Sequence, residues 1–389
     1  MKKICIVTAT RAEFGLLLPI IRGLNKLDNL IVQVVVTGTH LSPEHGMTIN
    51  EILNEHVEVY RKIDIMVEGD TPCDISKSIA KALTGFAEYY AEEKPDALMV
   101  LGDRYELLGI CIAAVNERIP IFHLYGGETT EGAVDEMVRH AITKFSYLHF
   151  TSTEAYRKRV IQLGEDPSRV FYVGSTGIDN IMNTDFMSKE EIEESLGISL
   201  GAKYAVATFH PVTLEMQTAE WQIHELLEAV KATPDIFFLF TRANSDSDGR
   251  LINSILEKES ENIANMHLVD SLGMRRYLSA IRGAEFVIGN SSSGLSEVPA
   301  FRIPTVNIGD RQKGRLIAKS VICCEPEKNA IVDSINKALD GEFRKSIADM
   351  MPIHGDGHST EKIVELVYKF LFCEEINIKK KFYDIEFED

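Results

Sequence analysis

Several things are scarce in this chain, and each scarcity removes a class of function. Positive charge is short: 41 Lys and Arg against 59 Asp and Glu leave a formal charge of −18 over 389 residues. So acidic a surface argues against a broad electrostatic hold on nucleic acid or anionic lipid, although a few arginines can still make a local cleft for a small anion. No apolar run approaches the ~18 residues of a spanning helix, and the first strand meets Arg11 before a signal-peptide core could form. Six cysteines are present (Cys5, Cys73, Cys111, Cys323, Cys324, Cys373), none in CxxC spacing. Mostly set in apolar runs, they read as buried reduced thiols of a cytoplasmic protein and not as zinc ligands. Neither a GxGxxG dinucleotide fingerprint nor a GxxxxGKS/T phosphate loop occurs, and there is no repeat or low-complexity tract.

What is present is alternation. Apolar, β-branched runs at Lys3–Thr8, Ile31–Thr37, Asp96–Leu101, Ile119–Leu124, Tyr147–Thr151 and Val170–Val173 alternate with helical patterns, the first over Gly15–Leu27. The pattern stalls over Asn180–Gly201. It restarts with strands at Tyr204–Phe209, Asp235–Phe240, Asn265–Val269, Glu285–Gly289, Thr305–Ile308 and Val321–Cys324, and a last helix near Thr360–Phe372. Continuous apolar strands separated by helices imply parallel sheets covered on both faces. Two such runs predict an α/β protein of two doubly wound, Rossmann-like domains. Boundaries fall at 1–178 and 179–358, with 359–389 as a terminal helix and tail packing back on the first domain. Ligands of such sheets bind at the carboxyl ends of the strands, here in a cleft between the domains.

The polar residues cluster at those ends. Thr8-Ala9-Thr10-Arg11 leads into a helix whose backbone N–H groups, helped by Arg11, could hold a phosphate. Asp103 and Arg104 follow one strand; His123 precedes Gly126-Gly127-Glu128 at the end of another. Asp103 can equally cap its helix, and Asp135 can pair with Arg139 four residues on. His210 ends the first strand of the second half, and Thr241-Arg242-Ala243-Asn244 the next. The run Asn290-Ser291-Ser292-Ser293-Gly294 suits a diphosphate, with Glu297 further along suited to ribose hydroxyls. His354-Gly355-Asp356-Gly357-His358 reads as a turn before the final helix, capped by Ser359, and not as a metal site.

Taken in order, these segments resemble the hydrolysing UDP-N-acetylglucosamine 2-epimerases of bacterial sialic and legionaminic acid biosynthesis. The resemblance also runs through Arg139-His140-Ala141-Ile142-Thr143-Lys144 and Asn307-Ile308-Gly309-Asp310-Arg311-Gln312-Lys313-Gly314-Arg315. It implies the two-domain GT-B architecture, no cofactor, no metal, and a homodimer or homotetramer. It implies a UDP-sugar substrate and UDP product, with UDP-GlcNAc converted to ManNAc. The same reaction on UDP-2,4-diacetamido-2,4,6-trideoxyglucose is the alternative, and a GT-B glycosyltransferase or a silent nucleotide-sugar binder are the rivals. Carried over by motif, Asp103, Glu128, Asp135 and His210 take the acid/base and leaving-group roles. Arg11, Ser291, Ser292 and Arg311 would hold the diphosphate and Glu297 the ribose. Gly15, Arg104, His123, Arg242, Asn244 and Ser271 would complete the binding set. One departure stands out: two residues after the strand-end His, where non-hydrolysing and animal enzymes carry Glu, this chain has Tyr125.

Overall fold

The computed structural model describes residues 1–69, 71–130, 133–212, 218–243, 249–350 and 352–386. They form two compact units: Met1–Glu128 with Asp135–Met182 and His354–Asp389, and Thr129–Val134 with Asn183–Ile353.

The first unit is built on a seven-stranded sheet. Its strands are β1 (Lys2–Thr8), β2 (Leu30–Thr37), β3 (Val59–Ile63), β4 (Ala97–Leu101), β5 (Ile121–Leu124), β6 (Leu148–Thr151) and β7 (Val170–Tyr172). They lie in the order β3-β2-β1-β4-β5-β6-β7, every pair parallel. The second unit carries β8 (Tyr204–Thr208), β9 (Phe237–Thr241), β10 (Met266–Val269), β11 (Phe286–Gly289), β12 (Thr305–Ile308) and β13 (Val321–Cys324). These are parallel in the order β10-β9-β8-β11-β12-β13. Central strands such as β4 and β8 are buried at every residue, because helices cover both faces. The order of each sheet reverses once, between β1 and β4 and between β8 and β11, and such reversals open the crevice where doubly wound sheets take ligands.

The second reversal demands a glycine. Gly289 has φ 131°, and a Cβ there would strike the Thr208 carbonyl of the neighbouring strand. No other residue fits where the two chains approach so closely.

Local structure corrects the sequence reading in several places. Strand β3 was not anticipated: its pattern Val-Tyr-Arg-Lys-Ile alternates partial burial with exposure, as an edge strand can. The stretch read as a stall holds two helices, Thr176–Asn183 and Lys189–Leu196, the latter opened by a Ser188–Glu191 capping box and closed by Gly197. The first helix starts at Arg11, not Gly15, because Thr10 and Glu13 form a capping box. Gly15 sits in its second turn, where its carbonyl accepts from Asn180. Of the cysteines, only Cys5 and Cys111 are buried; Cys73, Cys323 and Cys373 are exposed.

The final helix, Ser359–Tyr368, belongs to the first unit. Ser359 does not cap it through its own side chain. Asp179, far back in the chain, accepts from the Ser359 and Thr360 amides at 3.0 and 2.6 Å. Beyond this helix Lys380 reaches buried Glu165 (2.6 Å), which also takes Lys144 at 2.6 Å and His149 at 3.1 Å. Among the described residues no helix is long and apolar enough to cross a membrane.

Burial alone would push the Glu165 carboxyl up, but His149, Lys144 and Lys380 outweigh it and hold it down to about 2. A carboxyl more acidic folded than unfolded stabilises fully above the usual glutamate range, and that contribution vanishes as pH falls through about 2. Glu165→Gln should therefore lower stability by about 1–3 kcal/mol near neutrality. The gap from wild type should close on acidification, as thermal melts across a pH series would register.

Candidate active site

In the first unit the geometry centres on Arg139, which the helix Asp135–Phe145 delivers to the strand ends with its side chain 1% exposed. Gly102, at φ 80°, turns the chain after β4, and Arg139 Nε donates to Asp103 Oδ2 at 2.8 Å while Nη2 makes a second contact to the same oxygen. Nη1 donates to Glu136 at 2.6 Å and to the Glu128 carbonyl at 2.7 Å. Burial works against the guanidinium's charge, but Asp103, Glu128 and Glu136 outweigh it and raise its pKa above the ordinary value. Asp103 is therefore a fixed partner of Arg139 and not a helix cap, since the helix beside it starts at Glu106 after Tyr105. Asp135 opens the Arg139 helix, half-buried.

After β5 the chain passes Tyr125, Gly126 and Gly127 to Glu128. Gly127 has φ 80°, and a Cβ there would meet the Tyr156 carbonyl and Val160. Arg159 donates to the Gly127 carbonyl at 2.6 Å. The Glu128 carboxylate accepts from buried Ser152 at 2.9 Å.

His123, expected in the binding set, lies inside the first unit. It is fully buried, its Nε2 lies 2.8 Å from the Gly102 carbonyl and its Nδ1 3.4 Å from Thr143. Burial pushes the imidazole down to about 3, so it is neutral at physiological pH and braces the Gly102 turn. The turn after β1 also differs from expectation: Glu13 accepts the Ala9 and Thr10 amides at 2.9 and 3.3 Å, so these are not donors to an anion. Arg11 itself is half-buried at the first helical position. Arg104 lies over the Tyr105 ring with Nε 3.4 Å from Glu106.

In the second unit the hub is Asn290, fully buried at the end of β11. Its Oδ1 accepts from the His210 amide and its Nδ2 donates to the His210 carbonyl, both at 2.7 Å. This clamp spans the β8/β11 reversal. The Asn290 carbonyl takes Arg311 at 3.3 Å and Gln312 at 2.8 Å, so the turn after β12 is tied to the same point. Ser291 and Ser292 precede a single helical turn, Ser293–Ser296, and both are partly exposed. Glu297 follows that turn and accepts from Ser293; burial raises its carboxyl above the usual range against that hydrogen bond. Arg242 is held by Asp270 and Glu257, each at 2.5 Å. Ser271 accepts from the Gly273 amide at 3.1 Å. Asn244 lies outside the described residues. Among the described residues no group of three or more potential ligands could hold a metal ion.

The sequence reading passed over Asn290, Arg139, Gln312 and Ser152 as site residues. Arg139 carried the one available signal, since its spacing from Asp135 and Glu136 puts carboxylates on its own helical face. The others act through strand neighbours far apart in sequence.

A family profile described as UDP-N-acetylglucosamine 2-epimerase matches residues 22–368. The chain is 38% identical over 385 residues to a GDP/UDP-N,N'-diacetylbacillosamine 2-epimerase (hydrolyzing) of Campylobacter jejuni, covering 99% of each. It is also 38% identical over 388 residues to the polysialic acid biosynthesis protein P7 of Escherichia coli, covering 99% of this chain and 98% of that one. In three dimensions it is similar to the UDP-GlcNAc 2-epimerase of Neisseria meningitidis bound to UDP-GlcNAc, with TM-score 0.80 at 19% identity over 94% of this chain and 100% of that one. At that identity the likeness establishes the fold, a pair of Rossmann-like units of the GT-B class.

Arg139→Lys keeps the charge but loses the planar fork that serves Asp103, Glu136 and the Glu128 carbonyl together. The variant should stay folded by circular dichroism and lose about 100-fold or more in turnover. Asn290→Ala leaves two buried backbone groups of His210 without partners, which should cost about 2–4 kcal/mol in a denaturant melt. It should also weaken UDP binding in calorimetry.

Proposed function

Because the chain belongs to the hydrolysing UDP-N-acetylglucosamine 2-epimerases, we propose that it releases UDP from a UDP-2-acetamido sugar with inversion at C2. One carboxylate takes the C2 proton while the C1–O bond to UDP breaks, giving a 2-acetamidoglycal and UDP. Water then adds its oxygen at C1, and a proton enters C2 from the opposite face. The released sugar is of the N-acetylmannosamine type.

Such chemistry needs acid and base groups around the ring and donors at the leaving diphosphate. The observation that carries the reading is the array at the first unit's strand ends, where buried Arg139 holds the Asp103 carboxylate and the Glu128 backbone carbonyl and Ser152 holds the Glu128 carboxylate. Asp135, and in the second unit His210, are also assigned proton or leaving-group roles. In the second unit Ser291, Ser292 and Arg311 are assigned to the diphosphate and Glu297 to the ribose, with Arg11 and Arg104 supplying further positive charge. The substrate we favour is UDP-GlcNAc, giving ManNAc for nonulosonic acid synthesis, in keeping with the Escherichia coli relative named for polysialic acid biosynthesis. The name of the equally similar Campylobacter jejuni relative favours a second reading, UDP-N,N'-diacetylbacillosamine.

Proton NMR of the protein with each sugar nucleotide in D₂O tests this. Free UDP and a manno-configured sugar deuterated at C2 are expected, and the faster of the two substrates identifies the natural one. A C2-inverted sugar still joined to UDP, or no turnover of either while UDP binds, would overturn the proposal.

A further inference from the structure

Position 125 presents a tyrosine at the very turn that leads to Glu128, and its hydroxyl is committed to internal partners. Tyr125 is buried in the left-handed region at φ 66°. Its hydroxyl accepts the Thr176 amide at 2.9 Å and lies 2.8 Å from the Thr176 hydroxyl and 3.1 Å from that of Ser175. Burial pushes the phenol up to about 12. Three partners surround one oxygen, so Tyr125 ties the end of β5 to the helix Thr176–Asn183.

Glu128, three residues on, is held quite differently. Its backbone is pinned by Arg139 at the Glu128 carbonyl and by Arg159 at the Gly127 carbonyl. Its carboxylate meets Ser152, which directly follows β6, the strand beside β5. Ser152 is 1% exposed and donates its hydroxyl proton to Glu128 Oε1 at 2.9 Å. A donor on a carboxylate favours the ionised form and fixes its direction.

We infer that Ser152 is a positioning residue for Glu128, holding its carboxylate aimed for the proton transfer assigned to it. The inference rests on the epimerase reading above. Charged and titratable groups near Glu128 include Arg139 with its partners Asp103 and Glu136, Arg159 on the next helix, and the Tyr125 phenol. None of these is altered by removing the Ser152 hydroxyl.

The test compares wild type, Ser152→Ala and Tyr125→Phe by UDP affinity, by C2 deuterium exchange and turnover across pH, and by ¹³C titration of the Glu128 carboxyl in ligand-free protein. With Ser152→Ala, UDP affinity should hold while turnover falls about tenfold. The pH limb that Glu128 governs, and its carboxyl titration, should move up by about one pH unit. Tyr125→Phe should melt lower yet leave that limb and the titration in place. Should Ser152→Ala fail to fold, Ser152→Cys, close in size and a weaker donor, carries the same comparison. An unmoved limb and titration in the Ser152 variant, or loss of C2 exchange in Tyr125→Phe, would overturn the inference. If the wild type turns over no UDP-sugar, the epimerase reading fails on its own, and the ligand-free titration still decides whether Ser152 controls the Glu128 carboxyl.

Discussion

A guanidinium taken almost wholly out of water must find acceptors for its donors, and Arg139 finds them in Asp103, Glu136 and the Glu128 carbonyl. Desolvation of a charge of this kind is so costly that it persists only with partners on every side. Those partners come from the ends of two neighbouring strands and from the helix carrying the arginine. One side chain therefore sets the mutual placement of the Asp103 and Glu136 carboxylates and of the main chain at Glu128. The internal imidazole of His123 works beneath it, neutral and fully enclosed, bracing the turn that presents Asp103.

The second unit solves a similar problem with a neutral side chain. The Asn290 side chain gives one hydrogen bond and takes one, and both partners are main-chain groups of His210. The clamp forms where Gly289 allows two strands to come closer than any side chain would permit. A neutral amide there fixes geometry without committing local charge. Arg311 and Gln312, tethered to the carbonyl of the same residue, bring the following turn into line.

Most of the fold was legible because parallel strands covered on both faces must be apolar throughout, and runs such as Ala97–Leu101 and Tyr204–Thr208 say so directly. β3 was not, because Tyr60, Arg61 and Lys62 give an edge strand the look of a loop. The helix Lys189–Leu196 was hidden by its density of glutamate, although its serine cap and closing glycine were there to be read. At the candidate site the motifs pointed to the strand ends but could not sort the residues there. His123 and Glu128 look equally polar in sequence, yet one is sealed inside and the other is aimed by Ser152. Contacts such as Asp179 to Ser359, or Asn290 to His210, join residues with no local periodicity between them, so only the folded chain reveals them.

The division of the first unit into early and late segments has a consequence for synthesis on the ribosome. The second unit is nearly continuous, Asn183–Ile353 plus the short Thr129–Val134 segment made earlier, so it can close as soon as it emerges. The first unit, begun first, must wait for the helix Ser359–Tyr368 that Asp179 caps and for Lys380, which seals the buried Glu165. Of the two units, the one begun first is therefore completed last, and until then the apolar seat of its final helix stays uncovered.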